Sequence, residues 1–333
     1  MSGKWHTEQV TTTEAAHGDR DFIKAGVLSS GVREIIQGPI DHSQKNGQST
    51  VNMTFRFESL EGEAPMEYLD KGGTDTWLTQ MTQSETTGHR KALPVLDEDG
   101  GVLGQFDPLR VLHVEDDLHI GIQGRHDQFD PTEEGGFFDS LSQSNIFLFL
   151  FRVIASSMNR KGTGGSWGLG KYATYLLSKF RTAFHVSTYK HEDGTMRRFA
   201  LGQAHWKSRR MRPARDTPPA LIGEDGRVSY GPTIWYGKSE LAVDQDPKTW
   251  LPLVEADEVD NLCSALGIHR PPDRGGTSIM IPAPQDELTG NSIAQAVLAN
   301  YAIAIAKGML TVRIVDGDYD ILLDSESIRE VAQ

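Results

Sequence analysis

"GTGGSWGLGKYATYLL" (162–177) packs five glycines into nine positions, 162–170, and follows them with Lys171. From Gly165 it spells G-x-x-x-x-G-K, the spacing of the Walker phosphate loop, but Tyr172 stands where that loop needs a metal-binding Ser or Thr. The lead-in "SSMNRKGT" (156–163) is polar and reads as no buried strand, so the Walker reading fails on two independent counts. The physical content survives. Close glycines let a backbone turn its N–H groups onto a ligand, a helix starting at "KYATYLLSKF" (171–180) would offer free amides to an anion, and Lys171 adds a positive charge. The stretch reads as a phosphate cradle of another design.

The rest of the chain bounds what surrounds it. At 333 residues, 38% apolar and 24% charged, it matches an ordinary globular composition with room for a sizeable core. The longest apolar run, "IFLFLFRVIA" (146–155), carries Arg152 and is too short for a bilayer, and no hydrophobic signal region opens the chain. With the single Cys263, this points to a reducing cytoplasm and no membrane partner. A net charge of −13 argues against a surface that coats nucleic acid everywhere. One local basic patch stands out in "KSRRMRPAR": Lys207, Arg209, Arg210, Arg212 and Arg215, read either as a solvated loop or as a nucleic-acid contact.

Periodicity places the main elements. Residues 22–42 read as mostly helical, with "GP" at 38–39 sitting awkwardly inside. "STVNMTFRFES" alternates, with Val51, Met53, Phe55 and Phe57 on one face, as a half-buried strand does. "LRVLHVED" (109–116) is a second strand running into acids. "RTAFHVSTYK" and "RRFALGQAHW" form a hairpin around "HEDGT", and a strand (276–284), a helix (291–308) and a strand (309–315) follow. Without regular βαβ alternation, the pattern fits a layered α/β sandwich on a mixed sheet.

Two further segments join the cradle. "GVREIIQGPIDH" (31–42) puts Glu34, Gly38 and Asp41 on one helical face, and "VEDDLHIGIQG" (114–124) ends a strand in acids before Gly121 and Gly124. With "GGSWGLGK" (164–171) and "GGTSI" (275–279), the order is carboxylate helix, strand–Asp–Gly loop, long lid, glycine–lysine cradle and Gly-Thr strand. Over roughly residues 30–315 this order resembles the GHKL ATPases: gyrase B subunits, MutL proteins, ninety-kilodalton heat-shock chaperones and histidine kinases. It is most similar to the MORC-like bacterial branch found near restriction and phage-defence genes.

The resemblance implies a Bergerat-type fold, an α+β two-layer sandwich with a mixed sheet and helices on one face. Residues 1–20 would be a flexible arm, 21–288 the ATP-binding domain with a lid at about 125–163, and 289–333 its end or the start of a transducer-like region. Asp116 is expected to accept the adenine amino group, with Thr277 supporting it and Gly121 letting the backbone pass close to the base. Gly165, Ser166, Gly168, Leu169, Gly170 and Lys171 would cradle the phosphates. Glu34 matches the general base that orients the attacking water.

One position departs from the pattern. The family's helix reads E-x-x-x-N, the Asn holding Mg2+, and this chain has Gly38 there, followed by Pro39. Three readings stand open: Asp41 supplies the metal oxygen, phosphates and water hold the metal, or ATP is bound and hydrolysed poorly or not at all. The expected function is an ATP-driven dimerisation switch in a phage-defence or restriction system, acting on DNA with nuclease or helicase partners. The alternative is a nucleotide-binding scaffold without catalysis. A histidine kinase or a chaperone fits less well.

Overall fold

The computed structural model describes residues 4–10, 27–45, 50–62, 68–69, 108–117, 121–124, 173–191, 193–205, 209–211, 219, 222–239 and 250–331. The chain builds β1 (Lys4–Val10), α1 (Val27–Lys45), β2 (Val51–Leu60), β3 (Leu109–Asp116), α2 (Ala173–Leu176), β4 (Thr182–Lys190) and β5 (Met196–His205). It continues through β6 (Arg209–Met211), β7 (Val228–Ser239), β8 (Trp250–Leu251), α3 (Ala256–Ala265), β9 (Gly276–Pro282), α4 (Gly290–Ala306), β10 (Leu310–Asp316), β11 (Tyr319–Leu323) and α5 (Ser325–Val331). The fold is mixed α/β.

The eleven described strands form one sheet, in the order β1-β7-β5-β4-β9-β3-β2-β10-β11, with β6 and β8 added to β7. β2 and β10 run parallel, and the remaining pairs are antiparallel. Lys4–Val10, inside the stretch read as an arm, is strand β1 on the β7 edge.

Strand composition decides which faces are covered. β2 alternates strictly, burying Val51, Met53, Phe55 and Phe57 and exposing Asn52. β4 is buried on both faces along Thr182–Tyr189, as a strand in mid-sheet must be when both sides are covered. One face packs against Val32, Ile35, Ile36 and Ile40 of α1 and Ile293, Val297 and Ile305 of α4. The other face, carrying Leu109, Val111, Phe184, Val186 and Met280, is covered by Val259, Leu262 and Cys263 of α3. This corrects the expectation of helices on one face only. β3 and β4 offer apolar side chains in both directions, and each set needs a cover.

α1 runs unbroken through Pro39, so the "GP" pair ends nothing; the proline removes one donor, toward Ile35, within a nineteen-residue helix held by its apolar face. α4 is well bounded. Thr289 caps it in a reciprocal box with Ser292, and Asp316, itself held by Arg110 at 3.2 Å, accepts from the Gly290 amide at 2.9 Å. The helix expected over 171–180 is a single described turn, Ala173–Leu176. Beyond it the chain is recruited by the end of β9: Lys179 N donates to Ala283 O, Gln285 N to Leu177 O, and the Gln285 side chain to Leu176 O and Ser178 O. Among the described residues no helix is long and apolar enough to cross a membrane.

Candidate functional site

Asp116 ends β3 in the middle of the sheet, on the face shared with α1 and α4, and is only 8% exposed. Its neighbours follow from register. Glu115 pairs with Ser278 and Ser187 with Thr277, so Asp116, Thr277 and Ser187 stand side by side on three adjacent strands. The Thr277 amide donates to Asp116 Oδ1 at 3.0 Å. A carboxylate has about four acceptor positions, and the Thr277 amide holds one of them and fixes its orientation.

Ser187 joins this cluster to the loop after β3. Its Oγ accepts from Ile122 N at 2.7 Å, faces Gly276 O at 3.3 Å and lies 3.2 Å from Thr277 Oγ1. Gly121 has φ +62°, and a Cβ there would lie 2.2 Å from Thr188 O. The missing side chain therefore serves a close approach between the loop and β4. Gly276, at φ +137°, lets Arg270 and Asp116 close around it: a Cβ would lie 2.3 Å from Arg270 Nη1 and 2.7 Å from Asp116 O. Arg270 and Ser187 are functional candidates that sequence reading passed over, while Gly276 lies inside the "GGTSI" it singled out. The doubled glycine of "GGTSI" (275–279) is the local signal for Gly276; Arg270, in "HRPPD" (269–273), and Ser187, inside "TAFHVSTYK" (182–190), carry none of their own.

Beyond Ser187 the same face carries His185 and Gln203, and then a small cluster of Ile122, Tyr189, Phe199, Leu201 and Trp235. Tyr175 of α2 donates its hydroxyl to Gln203 Oε1 and meets His185 edge-on, with ring centroids 6.1 Å apart. Complete burial pushes the His185 imidazole down to about 3, so this wall is neutral at physiological pH.

α1 presents the other expected residues. Glu34 is half-buried and pairs with Arg33 at 2.8 Å, and Asp41 accepts from Gln37 Nε2 at 2.6 Å. The Tyr301 hydroxyl of α4 donates to Arg33 O at 2.7 Å, which fixes this turn of α1 against α4. Burial, and then the negative field of Glu34, raises the Tyr301 hydroxyl above its ordinary range, so it stays a donor. Gly38 is exposed, and a Cβ there would meet nothing within 4 Å.

The structure thus gathers Asp116, Gly121 and Thr277 into one cluster and carries Glu34, Gly38 and Asp41 together on α1. Gly165, Ser166, Gly168, Leu169, Gly170, Lys171 and the expected lid lie outside the described residues, as do Lys207, Arg212 and Arg215. Arg209 and Arg210 sit in β6, paired with Tyr230 and Ser229 of β7. Among the described residues no group of three or more His, Cys, Asp or Glu is arranged to hold a metal. α1 offers at most two carboxylates, which suits Mg2+ only where phosphates and water supply its remaining ligands. Neither the protein-family models nor the curated proteins compared with this chain yield a match.

Proposed function

We propose that the chain binds an adenine nucleotide at the Asp116–Thr277 cluster, as a Bergerat-type GHKL module similar to the MORC-like bacterial branch. The observation that carries this reading is the buried Asp116 carboxylate, held at 3.0 Å by the Thr277 amide beside the tight Gly121 turn. An ionised carboxylate at a strand end is an acceptor only, which selects an exocyclic amine over a carbonyl at the edge of a base. The "GGSWGLGK" cradle is assigned to the phosphates. Glu34 is assigned to orienting the attacking water, and Mg2+ would neutralise phosphate charge when bound, with Asp41 the one further protein ligand assigned to it. ATP-dependent closure and dimerisation would be the working step, in a cytoplasmic defence or restriction system acting on DNA with nuclease or helicase partners.

A second reading has its own support. Gly38 places no metal-binding oxygen on α1, and Glu34 is engaged by Arg33, both of which suit a scaffold that binds ATP without turnover.

Calorimetric titration of ATP and of a non-hydrolysable analogue, with and without Mg2+, tests both. Binding is expected to be lost in Asp116→Ala with folding intact by circular dichroism. If the wild type binds no adenine nucleotide, both readings fail; binding without phosphate release selects the scaffold.

A further inference from the structure

Arg270 is a buried cation, 7% exposed, on the loop between α3 and β9. Taking a guanidinium out of water is costly unless its donors are satisfied, and here all three nitrogens find acceptors, through four hydrogen bonds. Nε donates to Ser278 Oγ at 3.0 Å and Nη1 to Gly275 O at 3.4 Å. Nη2 reaches Asp116 O at 2.8 Å and Thr277 O at 2.9 Å. Burial pulls its proton affinity down, while Asp116, Glu115 and Asp117 pull it back up.

The pattern of acceptors matters more than their number. One nitrogen of a rigid planar fork clasps the carbonyls of the two residues assigned to base recognition. The Thr277 amide then closes the ring by donating to Asp116 Oδ1. The clasp depends on Gly276, whose missing side chain leaves the space that Arg270 Nη1 and Asp116 occupy.

We propose that Arg270 is the positioning residue of base recognition: it holds Asp116 and Thr277 at the spacing that aims the carboxylate at the exocyclic amine of a purine. This rests on the adenine-nucleotide reading above.

The test compares ATP with inosine triphosphate, which carries a carbonyl in place of the amine, by calorimetry on the full chain. The wild type is expected to prefer ATP by about tenfold or more, and Arg270→Gln to bring the two within about threefold. In parallel, protection of the Thr277 amide against hydrogen exchange is expected to fall by about tenfold in Arg270→Gln, with circular dichroism unchanged. A merely structural arginine would lower the melting temperature and leave both the ATP preference and the Thr277 protection intact, and that result overturns the proposal. Should Arg270→Gln not fold, Arg270→Lys is judged by the same two measurements, since it keeps the charge but cannot clasp two carbonyls at once. A wild type that binds both triphosphates equally removes base recognition altogether; one that prefers ATP through Arg270→Gln removes only the role of Arg270.

Discussion

At Gly276 the backbone needs a positive φ of +137° and the space of the absent Cβ is already taken, 2.3 Å from Arg270 Nη1 and 2.9 Å from Asp116 Oδ1. Gly194, in the β4–β5 turn, also has a positive φ of +83°, yet a Cβ there meets nothing within 4 Å. Gly276 therefore combines a φ further from the left-handed well with a packing conflict that Gly194 lacks. Gly194→Ala is expected to cost about 1 kcal/mol in urea denaturation, the ordinary strain of a left-handed non-glycine residue. Gly276→Ala is expected to cost about 2 kcal/mol more, because its φ is less accessible to alanine and Arg270 or Asp116 must also move, and, under the proposed function, to weaken ATP binding in the protein that remains folded. Equal costs at the two positions would show that the clasp around Asp116 relaxes freely. The acidic end of β3 was legible in the sequence as a strand running into acids before a glycine, and the choice of Asp116 among those acids came from the family resemblance. Arg270 was not, because its role lies in carbonyls brought to it by β3, which is 154 positions away along the chain.

Under the proposed function, α1 is the element on which hydrolysis would turn. Glu34 and Asp41 lie on one side of it with Gly38 between them, and the space beside Gly38 is open. Gly38→Asn should thus fit without displacing any described neighbour, and it exchanges a poor helix former for a better one by a few tenths of a kcal/mol. Under the proposed function it is expected to raise magnesium-dependent phosphate release by about tenfold, the scale of one recovered ligand contact. Glu34→Ala is expected to remove that release and to leave the ATP affinity within about twofold. A phosphate-release assay with both variants checks this, and hydrolysis that persists in Glu34→Ala shows the base assignment to be wrong. The alternation of β2 and the apolar stripe of α1 could be read directly, since each is fixed by its own period. β7 could not. Gly231 and Pro232 punctuate "VSYGPTIWYGKS", yet the strand passes through them. Pro232 falls between the stretch paired with β6 (Val228–Tyr230) and the stretch paired with β5 (Thr233–Tyr236), where neither of those strands calls on its missing N–H.

Across the whole molecule, the two faces of the sheet each bury a histidine, and this sets how the fold responds to acid. His185 lies on the face of the candidate site and His113 on the other, the latter between β2 and the α3–β9 loop. Glu58 Oε2 stands 3.2 Å from His113 Nε2 and favours the imidazolium, but Arg56 engages Glu58 at 2.7 Å. Burial, aided by Arg56 and His269, wins and pushes His113 down to about 3, as burial alone does for His185. The unfolded chain takes up these protons near pH 6.5, and the folded chain resists until about pH 3. Above pH 6.5 neither state is protonated and the histidines cost nothing. Below it the unfolded state binds more protons, so stability falls by about 1.4 kcal/mol per pH unit for each histidine. The exposed carboxylates held low by hydrogen bonds, Asp193, Asp320 and Asp324, add their own loss only at more acidic pH. Urea midpoints at pH 7, 6 and 5 are accordingly expected to fall together with pH. His185→Phe, which keeps a ring against Tyr175, and His113→Gln should each remove about half of the slope. Midpoints that hold steady from pH 7 to 5 in the wild type would mean that both imidazoles accept protons inside the folded sheet, and that burial at these two positions is breached by water.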